Sequence, residues 1–123
     1  CVVGTTAWGF SREELNKQFD YLFIDEAGQV SVANLIAMSQ SAHNLVLMGD
    51  QMQLGQPAQG THPGDSGLSI LDYLLKDHPT IEPNRGIFLD TTYRMHSKVN
   101  EFISQAIYEG KLNSHKSNDL QVI

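Results

Sequence analysis

Tyr21-Leu-Phe-Ile-Asp-Glu-Ala-Gly-Gln29 is an apolar run that ends at two adjacent carboxylates, Asp25 and Glu26. Residues 21–24 have the aromatic and branched character of a buried strand in a parallel sheet. The two carboxylates would then stand at the carboxyl end of that strand, where open α/β sheets place their ligands. A charged pair at this position either has a chemical role or forms the acidic start of a helix, and this segment alone favours neither.

Apolar runs of strand length alternate with amphipathic runs of helix length along the rest of the chain. The predicted strands cover residues 2–6, 21–25, 44–50 and 87–90, and the predicted helices cover residues 31–42, 66–76 and 97–108. This alternation predicts an α/β fold with a mostly parallel sheet. Because the carboxyl ends of parallel strands share one edge, Asp25 and Glu26 are expected to converge there with residues 49–53 and 92–96.

The segments that follow the later strands carry side chains suited to phosphate chemistry. Asp50 could reach a phosphate or its bound water, or it could cap the next turn. Gln53 has a neutral amide that can donate to a γ-phosphate oxygen and accept from water, although a glutamine in a polar loop is also an ordinary surface residue. Arg94 offers a planar guanidinium for two phosphate oxygens or for a surface ion pair. Tyr93 can stack on a base or simply pack.

The composition of the 123-residue chain limits the classes of function. Its length corresponds to one domain at most, and no apolar run approaches the roughly 20 residues that cross a bilayer, so we expect no membrane association. The single cysteine, Cys1, excludes an internal disulfide and favours a cytoplasmic location, and the five histidines lack zinc-ligand spacing. The net charge of −6 argues against a self-sufficient nucleic-acid binder, unless basic surfaces lie elsewhere in a longer protein.

Three motifs in order resemble motifs II, III and IV of superfamily 1 helicases. They are DEAGQ at residues 25–29, GDQMQLGQP at residues 49–57 and TTYRMHSKVNEFIS at residues 91–104. The subgroup resembled contains the RNA-surveillance helicases of the Upf type and the Dna-type replication nuclease–helicases. The similarity covers about residues 2–112, and in detail it looks closest to bacterial fusions of a RecB-like nuclease to such a helicase.

The resemblance implies a role for each residue of an ATP site. Asp25 would coordinate Mg²⁺, and Glu26 would be the catalytic base. Gln53 would sense the γ-phosphate of ATP and couple it to nucleic-acid binding. Arg94 would contact the γ-phosphate, with Tyr93 beside it near the nucleotide base.

The resemblance also implies a nucleic-acid partner. Thr5 and Thr6, at the end of the first predicted strand, match a segment that touches the nucleic-acid backbone in this family, and they are equally consistent with ordinary strand-end threonines. The implied partner is single-stranded DNA, with RNA as the alternative, and the implied process is DNA repair or recombination.

The sequence lacks two parts of such an ATPase, and further expectations follow from this. The chain contains no G-x-x-x-x-G-K-[ST] phosphate-binding loop, and it lacks the motifs of a second RecA-like domain. We therefore expect residues 1–123 to be the C-terminal part of a RecA-like (P-loop NTPase) domain whose phosphate-loop strand is missing, a fragment that is inactive alone. Unpaired strand edges would favour self-association.

Two other functions are considered beside the helicase. A metal-dependent nuclease could use Asp25, Glu26 and Asp50, since two-metal nucleases cluster carboxylates at strand ends, but it leaves Gln53 and Arg94 without a role. A degenerate ATPase-like module could serve as a binding or regulatory platform. A phosphate-binding loop encoded upstream in the parent protein would distinguish the helicase from this module.

Overall fold

A computed structural model describes residues 1–55, 60, 62–76 and 78–120 of the chain. The backbone divides into two compact units, Cys1–Lys76 and Asp77–Ile123, which we call the amino-terminal and carboxyl-terminal units. Residues 56 and 57, the end of the second helicase-like motif, lie outside the described residues.

The described part of the amino-terminal unit contains two strands and three α-helices joined by 3₁₀ turns. The regular elements are α1 (Ala7–Phe10), β1 (Phe19–Ile24), α2 (Val32–Ser39), β2 (Ala42–Leu47) and α3 (Ile70–Leu75). The 3₁₀ turns cover Glu13–Leu15, Ala27–Gln29 and Gly64–Gly67. The strands predicted over residues 21–25 and 44–50 and the helices predicted over residues 31–42 and 66–76 are therefore present, with ends shifted by a few residues.

Strands β1 and β2 pair in parallel, with Tyr21 opposite Asn44 and Ile24 opposite Leu47. Side chains alternate along β1, so that Leu22 and Ile24 are buried whereas Tyr21 and Phe23 are exposed. The buried face belongs to the apolar core of this unit, which is made of Leu22, Ile24, Ala27, Leu35, Met38, Ile70, Leu71 and Leu75. The opposite face leaves two aromatic rings in contact with solvent.

Helices α2 and α3 begin side by side because their capping serines pair. The Ser31 hydroxyl accepts the N–H of Asn34 at 3.3 Å, and the Ser69 hydroxyl accepts the N–H of Asp72 at 3.1 Å. Each serine thus satisfies an N–H that the first helical turn leaves unpaired. An antiparallel bridge joins the two serines, which fixes both helix starts on the same side of the unit.

The prediction of a strand over residues 2–6 is wrong. The segment has no regular structure, and Val2 is 99% exposed. None of its residues pairs with a strand among the described residues, and an isolated extended segment is unstable in water without such a partner. Thr6 instead caps α1, since its hydroxyl accepts the N–H of Gly9 at 3.3 Å.

The described part of the carboxyl-terminal unit is built around one α-helix and one very short parallel strand pair. Its elements are β3 (Thr91–Thr92), α4 (Ser97–Ile107), β4 (Asn113–Ser114) and a 3₁₀ turn at Lys116–Leu120. The predicted strand at residues 87–90 is not formed, because Ile87 and Leu89 stay exposed and pairing begins only at β3. The prediction of one sheet for all the strands is also not met, since β3 pairs with β4 in a sheet separate from β1 and β2.

Helix α4 is the longest helix that the structure describes, at 11 residues. It ends close to the predicted stop, where Glu109 and Gly110 adopt left-handed φ values of 56° and 74°. None of the helices in the described part of the chain combines the length and the apolar character that a membrane crossing requires.

The side chains of Thr80, Glu109 and Lys111 form a small hydrogen-bonded cluster at the turn after α4. The Glu109 carboxylate accepts hydrogen bonds from the Lys111 ammonium and from the hydroxyl of the buried Thr80, both at 2.6 Å. The Lys111 ammonium also donates to the Thr80 hydroxyl at 2.8 Å. The hydrogen bond from Lys111, followed by that from Thr80, holds the pKa of Glu109 below its usual value.

The alternation along β1 gives a direct test of the fold. Leu22→Ala removes a buried side chain and is expected to lower the free energy of unfolding by about 2–5 kcal/mol. Phe23→Ala, on the exposed face one residue later, is expected to lower it by less than about 1 kcal/mol. Urea unfolding of the chain, followed by circular dichroism, measures both, and equal losses for the two variants would contradict the assignment of the faces.

Candidate functional site

The carboxylates predicted to bind metal and to activate water follow β1 directly and are both exposed. Asp25 accepts the N–H of Glu26 at 3.0 Å, which fixes the carboxylate against its own turn. Glu26 has left-handed backbone angles, φ 51° and ψ 41°, that cost a residue with a Cβ on the order of 1–2 kcal/mol. Such a conformation outside glycine persists only where the surrounding structure imposes it, and it is common at functional sites.

The surrounding structure that imposes this turn is a continuation of the parallel ladder beyond the two strands. The Met48 N–H donates to the Ile24 carbonyl at 2.9 Å, and the Ala27 N–H donates to the Met48 carbonyl at 2.8 Å. Ala27 is completely buried. The loop carrying Asp25 and Glu26 is thus tied by its backbone to the start of the loop that follows β2.

Two glycines allow the backbones of these loops to touch. A Cβ added to Gly28 would lie 2.4 Å from the carbonyl oxygen of Asp50, and one added to Gly49 would lie 2.7 Å from the backbone nitrogen of Ala27. Both distances are shorter than any normal contact, and backbone atoms cannot move aside as a side chain can. Gly28 and Gly49 therefore bring the two predicted motifs into direct backbone contact.

Asp50 organises the second loop and holds Gln53. One oxygen of its carboxylate accepts the N–H of Met52 at 3.0 Å, and the other accepts the side-chain amide of Gln53 at 3.3 Å. The turn-capping role that the sequence left open for Asp50 is therefore present. Gln53 is exposed and held by one of its two amide protons, so that its second proton and its carbonyl oxygen are available to a ligand.

The donor set at this edge fits Mg²⁺ bound by one carboxylate with nucleotide phosphates and water. Magnesium keeps several waters and takes one or two carboxylates when phosphates complete its shell, a role that the exposed Asp25 can fill. Residues 1–55, 60, 62–76 and 78–120 contain no group of three or more histidine, cysteine or acidic side chains able to hold a metal ion. The nuclease hypothesis needs Asp25, Glu26 and Asp50 to form such a cluster, and this geometry counts against it.

Thr5 lies close to this edge of the sheet, although the strand predicted for it is absent. A cavity of about 190 Å³ is lined by residues that include Thr5, Phe10, Ile24 and Asp25. The next residue, Thr6, uses its hydroxyl oxygen to cap α1 and keeps its proton for donation. Thr5 and Asp25 therefore both line this cavity.

The other predicted site residues, Tyr93 and Arg94, belong to the carboxyl-terminal unit and follow β3 directly. Both are exposed, and the Arg94 N–H donates to the Thr92 hydroxyl at 3.3 Å. The Tyr93 ring stacks on the His115 ring with a centroid distance of 4.7 Å and an interplanar angle of 26°. Within the described part of the chain, the Arg94 guanidinium has no hydrogen bond or ion pair, which leaves it available to an anion.

The structure thus brings together Asp25, Glu26, Asp50 and Gln53 at the ends of two paired strands. It places Tyr93 and Arg94 at the end of a strand in the other unit, so their convergence with the first group stays a prediction.

Asn118 is a residue of this region that the sequence did not predict. Its buried side chain donates to the backbone carbonyls on either side of Tyr93 and Arg94. No periodicity or motif in the sequence signals this asparagine.

Comparison with known proteins bears on both units. Two family models, each described as an AAA domain, match residues 1–57 and residues 67–122. The DNA replication ATP-dependent helicase/nuclease DNA2 of Gallus gallus is 33% identical over 90% of this chain. The DNA polymerase alpha-associated DNA helicase A of Saccharomyces cerevisiae is 38% identical over 90% of it, and the ATP-dependent helicase NAM7 of the same yeast is 32% identical over 92%.

This chain belongs to the superfamily 1 helicases of the Upf and Dna type. Its α/β fold with parallel strand pairs is a part of the RecA-like fold of those helicases. The chain spans 11% of the length of the Gallus gallus protein, 18% of the helicase A and 11% of NAM7. No solved structure matches this chain.

The contact between the two loops can be tested at Gly28. Gly28→Ala forces a Cβ against the Asp50 carbonyl and is expected to lower the free energy of unfolding by about 1–3 kcal/mol, as overpacking does. Gly4→Ala is the matched control, since a Cβ there meets no atom within 4 Å and should change stability by less than about 0.5 kcal/mol. Urea unfolding measures both variants, and identical midpoints would show that the loops are not in close contact.

Proposed function

We propose that the protein to which this chain belongs is an ATP-dependent helicase or translocase that couples ATP hydrolysis to movement on single-stranded nucleic acid. The observation that carries the proposal is the backbone contact between the loops after β1 and β2, which sets Asp25 and Glu26 beside Asp50 and Gln53. A hydrolytic ATP site needs this combination of a metal ligand, a base and a phosphate-sensing amide within one rigid edge. The relatives from Gallus gallus and NAM7 of yeast are named as ATP-dependent helicases, which supports the same function.

The two carboxylates after β1 have different proposed tasks. Asp25 binds Mg²⁺, which when present neutralises the developing charge on the β- and γ-phosphate oxygens. Glu26 accepts a proton from the attacking water, and its exposed carboxylate has no competing partner among the described residues.

The remaining residues of the proposed ATP site read the phosphates and the base. Gln53 senses the γ-phosphate with the amide proton that Asp50 does not occupy. Arg94 contacts the γ-phosphate through two parallel N–H donors, a geometry that lysine cannot supply. Tyr93, with its inner face against His115, presents its outer face near the nucleotide base.

The proposed nucleic-acid partner is single-stranded DNA, with RNA as the alternative, and the proposed process is DNA repair or recombination in the cytoplasm. Two of the relatives have DNA in their names, which supports DNA ahead of RNA as the proposed partner. Thr5 and Thr6 are the proposed contacts to the nucleic-acid backbone, through hydroxyl donors that suit phosphate oxygens. Residues 1–123 act as the C-terminal part of the first RecA-like domain, and basic surfaces elsewhere in the protein compensate the charge of −6.

The ATP site is tested by Glu26→Gln in the full parent protein. This change removes the base without changing the size of the side chain, and ATP turnover is expected to fall by a factor of about 10² or more. Glu14→Gln, which replaces another exposed glutamate of the same unit, is the matched control and should leave turnover unchanged. Mg²⁺-dependent phosphate release is measured without nucleic acid, with single-stranded DNA and with single-stranded RNA.

The outcomes of this assay separate the proposed functions. DNA-stimulated turnover that Glu26→Gln abolishes supports a DNA motor, whereas stimulation by RNA alone would reassign the substrate. No stimulation by either nucleic acid would favour a regulatory ATPase-like module. The 123-residue chain by itself should show no turnover, because it lacks the phosphate-binding loop, and turnover by the chain that Glu26→Gln abolishes would contradict this.

Self-association of the isolated chain is a separate proposal. Strands β1 and β2 each have one edge without a strand partner among the described residues, and Phe23 on the outer face is 63% exposed. Phe23→Lys places a charge on this sheet and is expected to shift the chain toward monomer in sedimentation velocity. Phe102→Lys, at a similarly exposed phenylalanine of α4, is the control that should leave the distribution unchanged. A monodisperse monomer at all concentrations would contradict the proposal.

A further inference from the structure

The segment that carries Tyr93 and Arg94 is held at both ends by one buried amide. Asn118 is 2% exposed, and its side-chain nitrogen donates to the Thr92 carbonyl at 2.9 Å and to the Met95 carbonyl at 3.0 Å. These two carbonyls belong to the residues immediately before and after the pair. A single NH₂ group therefore spans the two residues predicted to contact the nucleotide.

Each of the two carbonyls also accepts a second hydrogen bond from the same neighbouring segment. The Thr92 carbonyl accepts the N–H of His115 at 2.9 Å, and the Met95 carbonyl accepts the hydroxyl of Ser114 at 2.6 Å. The Asn118 nitrogen lies 3.2 Å from that hydroxyl, so the donors form one connected network. A connected network in a buried place restrains its members more than separate hydrogen bonds do.

The backbone between these anchors has no regular secondary structure. Residues 93–96 belong to no helix or strand, and both Tyr93 and Arg94 are exposed. Without the anchors, each backbone residue of such a segment regains rotational freedom that ligand binding must remove again. Holding the backbone in advance is therefore how this unit can present a preformed arginine to an anion.

We infer that Asn118 is a positioning residue for nucleotide binding, which acts by holding the backbone on both sides of Tyr93 and Arg94. The inference rests on the proposed function, because it assumes that Arg94 contacts the nucleotide. The amide is required chemically, since one atom must donate two protons to two carbonyl oxygens. An ionised carboxylate donates none, and a hydroxyl donates one.

Asn100 supplies a matched control within the same unit. It is also a buried asparagine, at 4% exposure, and its side-chain nitrogen donates to the Leu112 carbonyl at 2.8 Å. Changing Asn100 therefore disturbs a buried hydrogen bond of the same kind without touching the backbone around Arg94. A loss of stability alone should be similar for the two asparagines.

The experiment compares Asn118→Asp and Asn100→Asp in the full parent protein. Affinity for a fluorescent, non-hydrolysable ATP analogue is expected to fall roughly tenfold in Asn118→Asp, the effect of losing one to two net hydrogen bonds, and less than twofold in Asn100→Asp. Affinity for single-stranded DNA without nucleotide should not change in either variant. Melting temperatures are measured for both, and Asn118→Ser, which keeps one donor, should show an intermediate loss of nucleotide affinity.

The pH dependence of nucleotide binding supplies a second readout for the carboxyl group that Asn118→Asp introduces. Burial against carbonyl oxygens raises the pKa of the introduced carboxyl group, and its protonated form recovers one O–H donor. The defect of Asn118→Asp relative to the unmodified protein should therefore shrink as the pH falls from 8 to 6. A defect that is constant over this range would overturn the inference.

A double-mutant cycle with Arg94 separates the inference from the proposed function. If Asn118 acts through Arg94, adding Asn118→Asp to Arg94→Ala should weaken nucleotide binding by less than a further twofold. If the fold-losses of nucleotide affinity from Asn118→Asp and Arg94→Ala multiply in the double variant, the positioning role is overturned. Equal losses of nucleotide affinity in Asn118→Asp and Asn100→Asp would also overturn it. If Arg94→Ala itself leaves nucleotide affinity unchanged, the proposed ATP site fails together with the inference. If only Asn118→Asp is without effect, the inference alone fails.

Discussion

The amino-terminal unit depends on the close contact between the backbones of the two loops that follow β1 and β2. The parallel ladder continues past the strands through Ala27 and Met48, and the missing side chain of Gly28 allows the Asp50 carbonyl to approach. Because backbone atoms are in contact, the loops cannot shift relative to each other without breaking the ladder. The left-handed turn at Glu26, which is unfavourable by itself, is maintained by this arrangement.

The two units are stabilised in different ways. All the buried apolar side chains among the described residues belong to the amino-terminal unit, where they fill the space around β1, α2 and α3. The most buried side chains of the carboxyl-terminal unit are polar, namely Thr80, Asn100, Ser104 and Asn118. Strands of two residues contribute little by themselves, so hydrogen bonds of these side chains take the place of a sheet. Asn100 and Asn118 donate to backbone carbonyls, Ser104 accepts the N–H of Leu112, and Thr80 donates to the Glu109 carboxylate. The stability of such a unit is sensitive to substitutions that remove a hydrogen-bond donor, even where the new side chain keeps the shape of the old one.

The two groups of residues in the proposed ATP site are also held in place in different ways. Asp25 and Glu26 are positioned by backbone hydrogen bonds and by the absence of side chains at two glycines. Tyr93 and Arg94 are positioned by side chains that come from a later segment, residues 113–119, and reach back to the backbone around the pair. Asp119 continues the same segment and accepts the N–H of Ser97 at the start of α4. The hydroxyl of Ser97, followed by its N–H, lowers the pKa of that carboxyl group.

The sequence by itself determined the α/β class, strand β1 with its two terminal carboxylates, helices α2 and α4, and the helicase family, because apolar periodicity and motif order are local properties of the chain. It predicted strands at residues 2–6 and 87–90 wrongly, since apolar residues form a strand only where a neighbouring strand is present to pair with them. Tertiary structure alone decided the left-handed turn of Glu26, the contact of Gly28 with Asp50 and the role of Asn118. Each of these depends on backbone groups that are distant in sequence and adjacent in space, and no pattern in the residues themselves records that proximity.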